Sequence, residues 1–160
     1  MSNEQREKVI EVLNKARSME LYAIIQYMHQ HYIIDDLDYG VLASKVKKIA
    51  IDEMKHAEKF AERIKEINGL PVTDIVKKVT KNQDVKEVFE FNAAAEDDTI
   101  ATYNEFIKVC RDNGDIVSAR LFEEITEVEQ EHYNYFDDTD QHIKTLKESF
   151  LAKMSVGSAG

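Results

Sequence analysis

The chain has one cysteine, one proline, five glycines and no tryptophan among its 160 residues. The lone cysteine, Cys110, has no partner for an internal disulfide, which points to a reducing compartment. It is also too little sulfur for a structural zinc or an iron–sulfur cluster. With so few glycines and prolines, a sandwich or barrel built on tight turns is excluded. No apolar run approaches the ~20 residues that a membrane span needs. The opening residues, Ser2-Asn3-Glu4-Gln5-Arg6-Glu7, are polar and charged, unlike a signal peptide. These absences predict a cytoplasmic protein with no membrane partner. Basic residues number 21 against 31 acidic ones, for a net charge of −10. Such a surface repels phosphate backbones and attracts cations, so nucleic acid is not an expected partner.

What the sequence does contain is long, uninterrupted helical periodicity. Val9, Leu13, Ala16, Ala23, Ile24 and Tyr27 recur at helical spacing, and the first helix is expected over 3–34. Turn-prone residues 35–40 break it. A second helix is expected over 39–67, stopped by Asn68-Gly69-Leu70-Pro71. A long connection of poor periodicity (69–82) precedes a third helix, 84–111. A fourth opens on Asp115 as N-cap and runs to 144. A short amphipathic piece, 145–154, precedes a tail, 155–160, expected to be flexible. Helices of roughly 25–30 residues are far above the mean of about 11–12 and predict a bundle. Short links make the first and second helices, and the third and fourth, antiparallel neighbours. The long link is a crossover that sets the third helix parallel to the second. The expectation is therefore all-α: one ferritin-like four-helix bundle domain over 1–160, with a short C-terminal helix.

Two Glu-x-x-His motifs, Glu53–His56 and Glu129–His132, stand 76 residues apart. Either alone is a weak signal. The same offset, however, carries Glu20 onto Glu96 and Tyr27 onto Tyr103. Positions i and i+3 share a helix face, so each motif aims its glutamate and histidine at one spot. Glu20 and Glu96 interrupt otherwise apolar stripes, and a lone carboxylate there is costly. One glutamate from each of two helices, plus Glu-x-x-His from each of the other two, is the ligand set of a di-iron or di-manganese carboxylate site. Four carboxylates balance two divalent ions, and balance two trivalent ions joined by one oxo bridge. The dry core thus holds both redox states without net charge.

The remaining candidates are less determined. Tyr27 and Tyr103 are either core aromatics with satisfied hydroxyls, or donors to a ligand carboxylate and a source of single electrons. Asp52 is placed to take the second ring N–H of a metal-bound histidine. Its repeat position is Val128, so the two metal positions should hold their histidines unequally. His29, His31 and His142 lack a glutamate three residues earlier and are expected at the surface or an interface. Each helical residue turns by about 100°, so Met54 points out of its own bundle if Glu53 and His56 point in. An outward methionine is either a subunit contact or, through its soft sulfur, a haem-iron ligand.

On these residues the chain resembles bacterioferritin. The match includes Ser18-Met19-Glu20-Leu21, Gln26-Tyr27, Ile51-Asp52-Glu53-Met54-Lys55-His56-Ala57, Asn68-Gly69-Leu70-Pro71 and Glu129-Gln130-Glu131-His132. The second Glu-x-x-His separates it from animal-type ferritins, and rubrerythrins carry a four-cysteine domain this chain cannot supply. The resemblance implies a shell of 24 subunits built from dimers and two irons per subunit. It implies one b-type haem per two subunits on Met54, and an external electron donor such as a ferredoxin. Glu20 with His56 would bind one iron, Glu96 with His132 the other, and Glu53 and Glu129 would bridge. Lys48 and Ile49 depart from the histidine and glutamate that many members turn toward the cavity. Gly157, Ser158 and Ala159 make the C-terminal segment look weaker than the family's usual fifth helix.

The expected function is ferroxidase-linked iron storage: iron(II) is oxidised in the bundle by O₂ or H₂O₂ and iron(III) mineral accumulates in the shell. A peroxide-scavenging diiron protein with little storage is the alternative. A structural bundle without a working site is a third reading, which cobalt(II) binding would exclude.

Overall fold

The computed structural model describes residues 1–155. It contains α1 (Asn3–Asp36), α2 (Gly40–Glu66), α3 (Val85–Asp112), α4 (Ile116–Leu146) and α5 (Glu148–Met154), and no strand among the described residues. The fold is the expected ferritin-like bundle with a short C-terminal helix. Residues 156–160, most of the expected tail, lie outside the described residues.

The helix ends explain how a glycine-poor chain turns sharply. The α1 start carries a capping box, Ser2 accepting from the Gln5 amide and Gln5 from the Ser2 amide. The first three helices end alike, with a left-handed residue that lets two amides reach back to the last turn. That residue is Asp38 (φ 66°) after α1, Asn68 (φ 63°) after α2 and Gly114 (φ 76°) after α3. Tyr39 N–H then reaches Ile34 O, Gly69 N–H reaches Ile64 O, and Asp115 N–H reaches Cys110 O. Only one of the three is glycine, because Asp and Asn also tolerate this region. Gly69 is required for a different reason: a Cβ there would lie 2.7 Å from Ile64 Cγ2. The boundary between the last two helices differs from expectation. α4 runs two residues further, and Lys147 (φ 51°) makes the break before α5.

The crossover, 67–84, runs along α1, and side chains of α1 supply the partners its backbone lacks. Asn14 accepts from Val72 N–H and donates to Leu70 O, Arg17 donates to Val72 O, and Ser18 to Asp74 O. Further along, Gln26 both accepts from Thr80 N–H and donates to Thr80 O. These positions share one face of α1, which is why this helix buries polar residues opposite its core face.

The core has two apolar clusters with a polar layer between them. One includes Leu42, Val46, Phe89 and Phe136; the other includes Leu13, Phe60, Phe122 and Ile125. Along each of the first four helices the passage from one cluster to the other crosses a candidate ligand: Glu20, Glu53 with His56, Glu96, and Glu129 with His132. Two expectations are corrected. His31 is buried rather than at the surface, its Nδ1 2.7 Å from the Ala43 carbonyl oxygen of α2. Ile49 does not face a cavity: one turn before Glu53 it shares that residue's inward face and is 2% exposed, so of that pair only Lys48 reaches solvent. His142 is exposed, beside the Phe150 ring, and His29 is half-buried.

Candidate metal centre

All six residues singled out by the repeat meet in the buried layer. The four glutamates are at most 2% exposed, and His56 and His132 are 5% and 4% exposed. Glu20, Glu53, His56 and Glu129 each present one ligand atom within 4.8 Å of the others. Glu53, Glu96, Glu129 and His132 form a second such group. Glu53 and Glu129 belong to both. His56 Nδ1 lies 3.0 Å from Glu129, 3.5 Å from Glu53 and 3.6 Å from Glu20. His132 Nδ1 lies 3.0 Å from Glu53, 3.3 Å from Glu129 and 3.8 Å from Glu96. The two imidazoles stack with centroids 6.2 Å apart.

The two tyrosines of the repeat act across the bundle. Tyr27, on α1, donates to Glu96 of α3 at 2.6 Å, and Tyr103, on α3, donates to Glu20 of α1 at 2.7 Å. Burial, then the carboxylate charges, holds both phenols well above their ordinary range, so they remain donors. Asp52 accepts from His132 Nε2 at 3.0 Å. No equivalent partner meets Nε2 of His56 among the described residues, which is the asymmetry expected from Val128.

Without metal the layer is a set of carboxyls competing for few protons. Burial, then the charge of Glu129, pushes Glu53 and Glu96 well above the usual carboxylate range. Glu129 itself is raised to about 7, chiefly by burial. Glu20 goes the other way: burial opposes its charge, but hydrogen bonds from His56 and the neighbouring carboxyls outweigh it. Burial likewise opposes charge on His56, yet Glu129 and Glu20 raise it to about 10. Oε2 of Glu20 and Oε2 of Glu96 remain buried with no hydrogen bond. Unsatisfied buried oxygens beside two imidazoles are the donor set of a hard or borderline divalent ion.

Met54 stands apart from this layer. It is 53% exposed, on the side of α2 away from the core, together with the exposed Ile51 one turn earlier. Sequence reasoning missed the anchor that fixes the far ends of α2 and α4. Arg63 donates through one nitrogen to both Asp115 oxygens, at 2.8 and 2.9 Å, and through Nε to Ser118. Asp115 is also the expected N-cap of α4, accepting from the Ser118 amide.

Comparison with known proteins agrees with this geometry. A family model described as a ferritin-like domain matches residues 10–146. The bacterioferritin of Desulfovibrio desulfuricans is 56% identical over 152 residues, covering 95% of this chain and 85% of its own. That of Brucella melitensis is 38% identical, covering 95% and 94%. A crystal structure of the D. desulfuricans protein, described as showing its diiron site in different catalytic states, superposes with a TM-score of 0.96 at 55% identity, covering 98% of this chain and 92% of that one. Mycobacterium tuberculosis BfrA superposes at 0.87 with 31% identity, covering 93% and 94%.

Proposed function

Since the chain belongs to the bacterioferritin family, we propose that it oxidises iron(II) within each bundle and stores the iron(III) as mineral inside a shell of 24 copies. The observation that carries this reading is the pair of overlapping ligand groups sharing Glu53 and Glu129. Iron(II) is substrate and cargo. Glu20 and His56 hold one ion, Glu96 and His132 the other, and the shared glutamates hold both. Two iron(II) ions supply two electrons. With two protons these reduce one H₂O₂ to two waters, or one O₂ to H₂O₂. Four carboxylates cancel the charge of two divalent ions, so loading relieves the repulsion that leaves Glu53 and Glu96 protonated. Tyr27 and Tyr103 fix the orientation of the two outer glutamates, and Asp52 fixes the ring of His132.

Met54 fits the second group this family implies. An exposed thioether on an outward helix face, flanked by the apolar Ile51, would let Met54 hold the iron of a b-type haem together with Met54 of a second copy. Such a haem would supply one-electron chemistry for reducing stored iron, with a ferredoxin-like donor. The assembly is cytoplasmic in this reading.

Aerobic iron loading of the assembled protein tests the proposal. Hundreds or more iron atoms per shell, with loading abolished in Glu53→Ala, support storage. Retention of about two per chain favours peroxide removal. Replacing Met54 by Leu should remove haem absorption and leave iron oxidation intact.

A further inference from the structure

Three helices each turn one stripe of side chains into a groove that the metal centre does not use. On α2 the stripe is Val41, Lys45 and Lys48; on α4 it is Tyr135, Asp138 and His142. On α5 it is Phe150 and Met154. Within each helix these positions stand three or four apart and so share a face. The groove has a volume of about 530 Å³, inside the ~300–1,000 Å³ range of sites that hold small molecules. Rings make up much of its wall: His142 and Phe150 lie with centroids 5.4 Å apart, and Tyr135 faces them from the next turns of α4. The Lys45 ammonium lies over the Tyr135 ring, 5.1 Å from its centroid, and Lys48 is exposed at the rim. Neither lysine makes an ion pair among the described residues, and Asp138 is the only carboxylate of the lining. None of the six metal-centre residues lines the groove.

We propose that this groove binds a small aromatic anion, its rings against the Phe150 and His142 wall and its negative group on Lys45 and Lys48. Two features carry the assignment. The carbon and ring surfaces of Val41, Phe150 and Met154 favour a flat apolar body, which gains both burial and ring contacts there. The two ammoniums, unpaired within the chain, favour a negative group at one end of that body. Lys45 is already held against Tyr135, so less side-chain freedom is lost when it takes the charge. A hydrated inorganic anion such as phosphate meets the lysines but gives up water against carbon walls. An uncharged aromatic fills the walls but leaves the lysines unused. Lys45, Lys48 and Tyr135 also line the opening beside Asp52 and His132. The occupant therefore borders the metal centre without entering it.

Two fluorescent probes with the same rings separate the two features. Anilinonaphthalene sulfonate carries a negative charge and phenyl-naphthylamine carries none. Titrated into the assembled protein, the sulfonate should saturate at about one dye per chain and bind about ten-fold more tightly than the neutral dye. Reversing both rim charges, Lys45→Glu with Lys48→Glu, should weaken the sulfonate about ten-fold or more and leave the neutral dye within about two-fold. Phe150→Ala should weaken both dyes, with helix content and shell size checked alongside. The proposal is overturned if the charge reversal leaves sulfonate affinity unchanged, or if the parent binds both dyes alike, which would make the groove merely apolar. Sulfonate binding lost in Met54→Leu but kept in the lysine variant would place the dye on the Met54 face and also overturn it. An assembled protein that binds neither dye would show a second copy covering the groove, and the assignment falls.

Discussion

Tyr103 of α3 donates to Glu20 of α1 at 2.7 Å, the mirror of what Tyr27 does for Glu96. Each half of the internal repeat thus orients a carboxylate of the other half. Losing one phenol strands a buried carboxylate oxygen, which disfavours that carboxylate's charge and loosens its aim. Tyr103→Phe and Tyr27→Phe should each weaken cobalt(II) binding roughly 10-fold while leaving helix content unchanged. Equal affinity in both variants would make the two tyrosines packing residues only.

The metal-free protein should lose stability as pH rises, the reverse of the usual carboxylate contribution. Glu53, Glu96 and Glu129 keep protons in the folded state that the unfolded chain releases near pH 4.5, and Glu129 gives its proton up only near 7. His56 acts in the same direction: its stabilisation is present below its unfolded value of 6.5 and is lost as pH climbs through about 10. The folded state binds more protons throughout this window, so stability falls with pH. Urea midpoints of metal-free protein should be lower at pH 9 than at pH 6, with a smaller difference in Glu96→Gln. Metal binding at pH 7 should also release about three protons, from Glu53, Glu96 and His56, and part of a fourth from Glu129, read from calorimetry in buffers of different ionisation enthalpy.

The Asp52–His132 hydrogen bond makes the two metal positions unequal. Asp52→Asn should weaken one of them by roughly 10–100-fold and spare the other. A cobalt(II) titration that resolves into two steps of one ion each in the parent should then approach a single phase. A uniform weakening of both steps would assign Asp52 to the whole site.

At the other end of α2, Arg63 meets a buried carboxylate. Burial raises Asp115, but Ser118 and Arg63 together bring it below its ordinary value. Its contribution is therefore complete above its unfolded pKa and is lost as pH falls through the folded one. Arg63→Ala leaves that charge unpaired and should cost about 2–3 kcal/mol, seen as a lower melting temperature at pH 7 and a smaller loss at pH 3.

Two neighbouring loop positions separate shape from conformation. Gly69→Ala drives a Cβ to 2.7 Å from Ile64 and 3.1 Å from Ile10, and should cost about 1–3 kcal/mol. Asn68→Gly relieves a left-handed residue and should be neutral or slightly stabilising. The reverse order in thermal melts would place the strain at 68.

The site was legible because its chemistry repeats. Glu20, Glu53, His56, Glu96, Glu129 and His132 share one offset and one helix-face logic, and the fold needs only long periodic helices with one long link. What escaped lies in partners that leave no sequence mark. His31 is buried against a backbone carbonyl, which any residue at position 43 would offer. The crossover has poor periodicity because its amides are satisfied by Asn14, Arg17, Ser18 and Gln26, more than 50 positions away in most pairs. Ile49 faces inward because it shares one helical register with the buried Val46 and Glu53, a constraint that likeness to relatives does not carry.

The polar layer between the two apolar clusters also bears on how the chain breathes. A helix usually frays from its ends while its middle stays closed. Here the middle turns of four helices carry repelling carboxyls, and the ends are locked by left-handed stops, a capping box and Arg63. In the metal-free state, amide exchange should therefore be fastest near the centre of the bundle, around residues 20, 53, 96 and 129, and slower toward the two clusters. Metal would then act as the bolt that joins two half-cores into one cooperative unit.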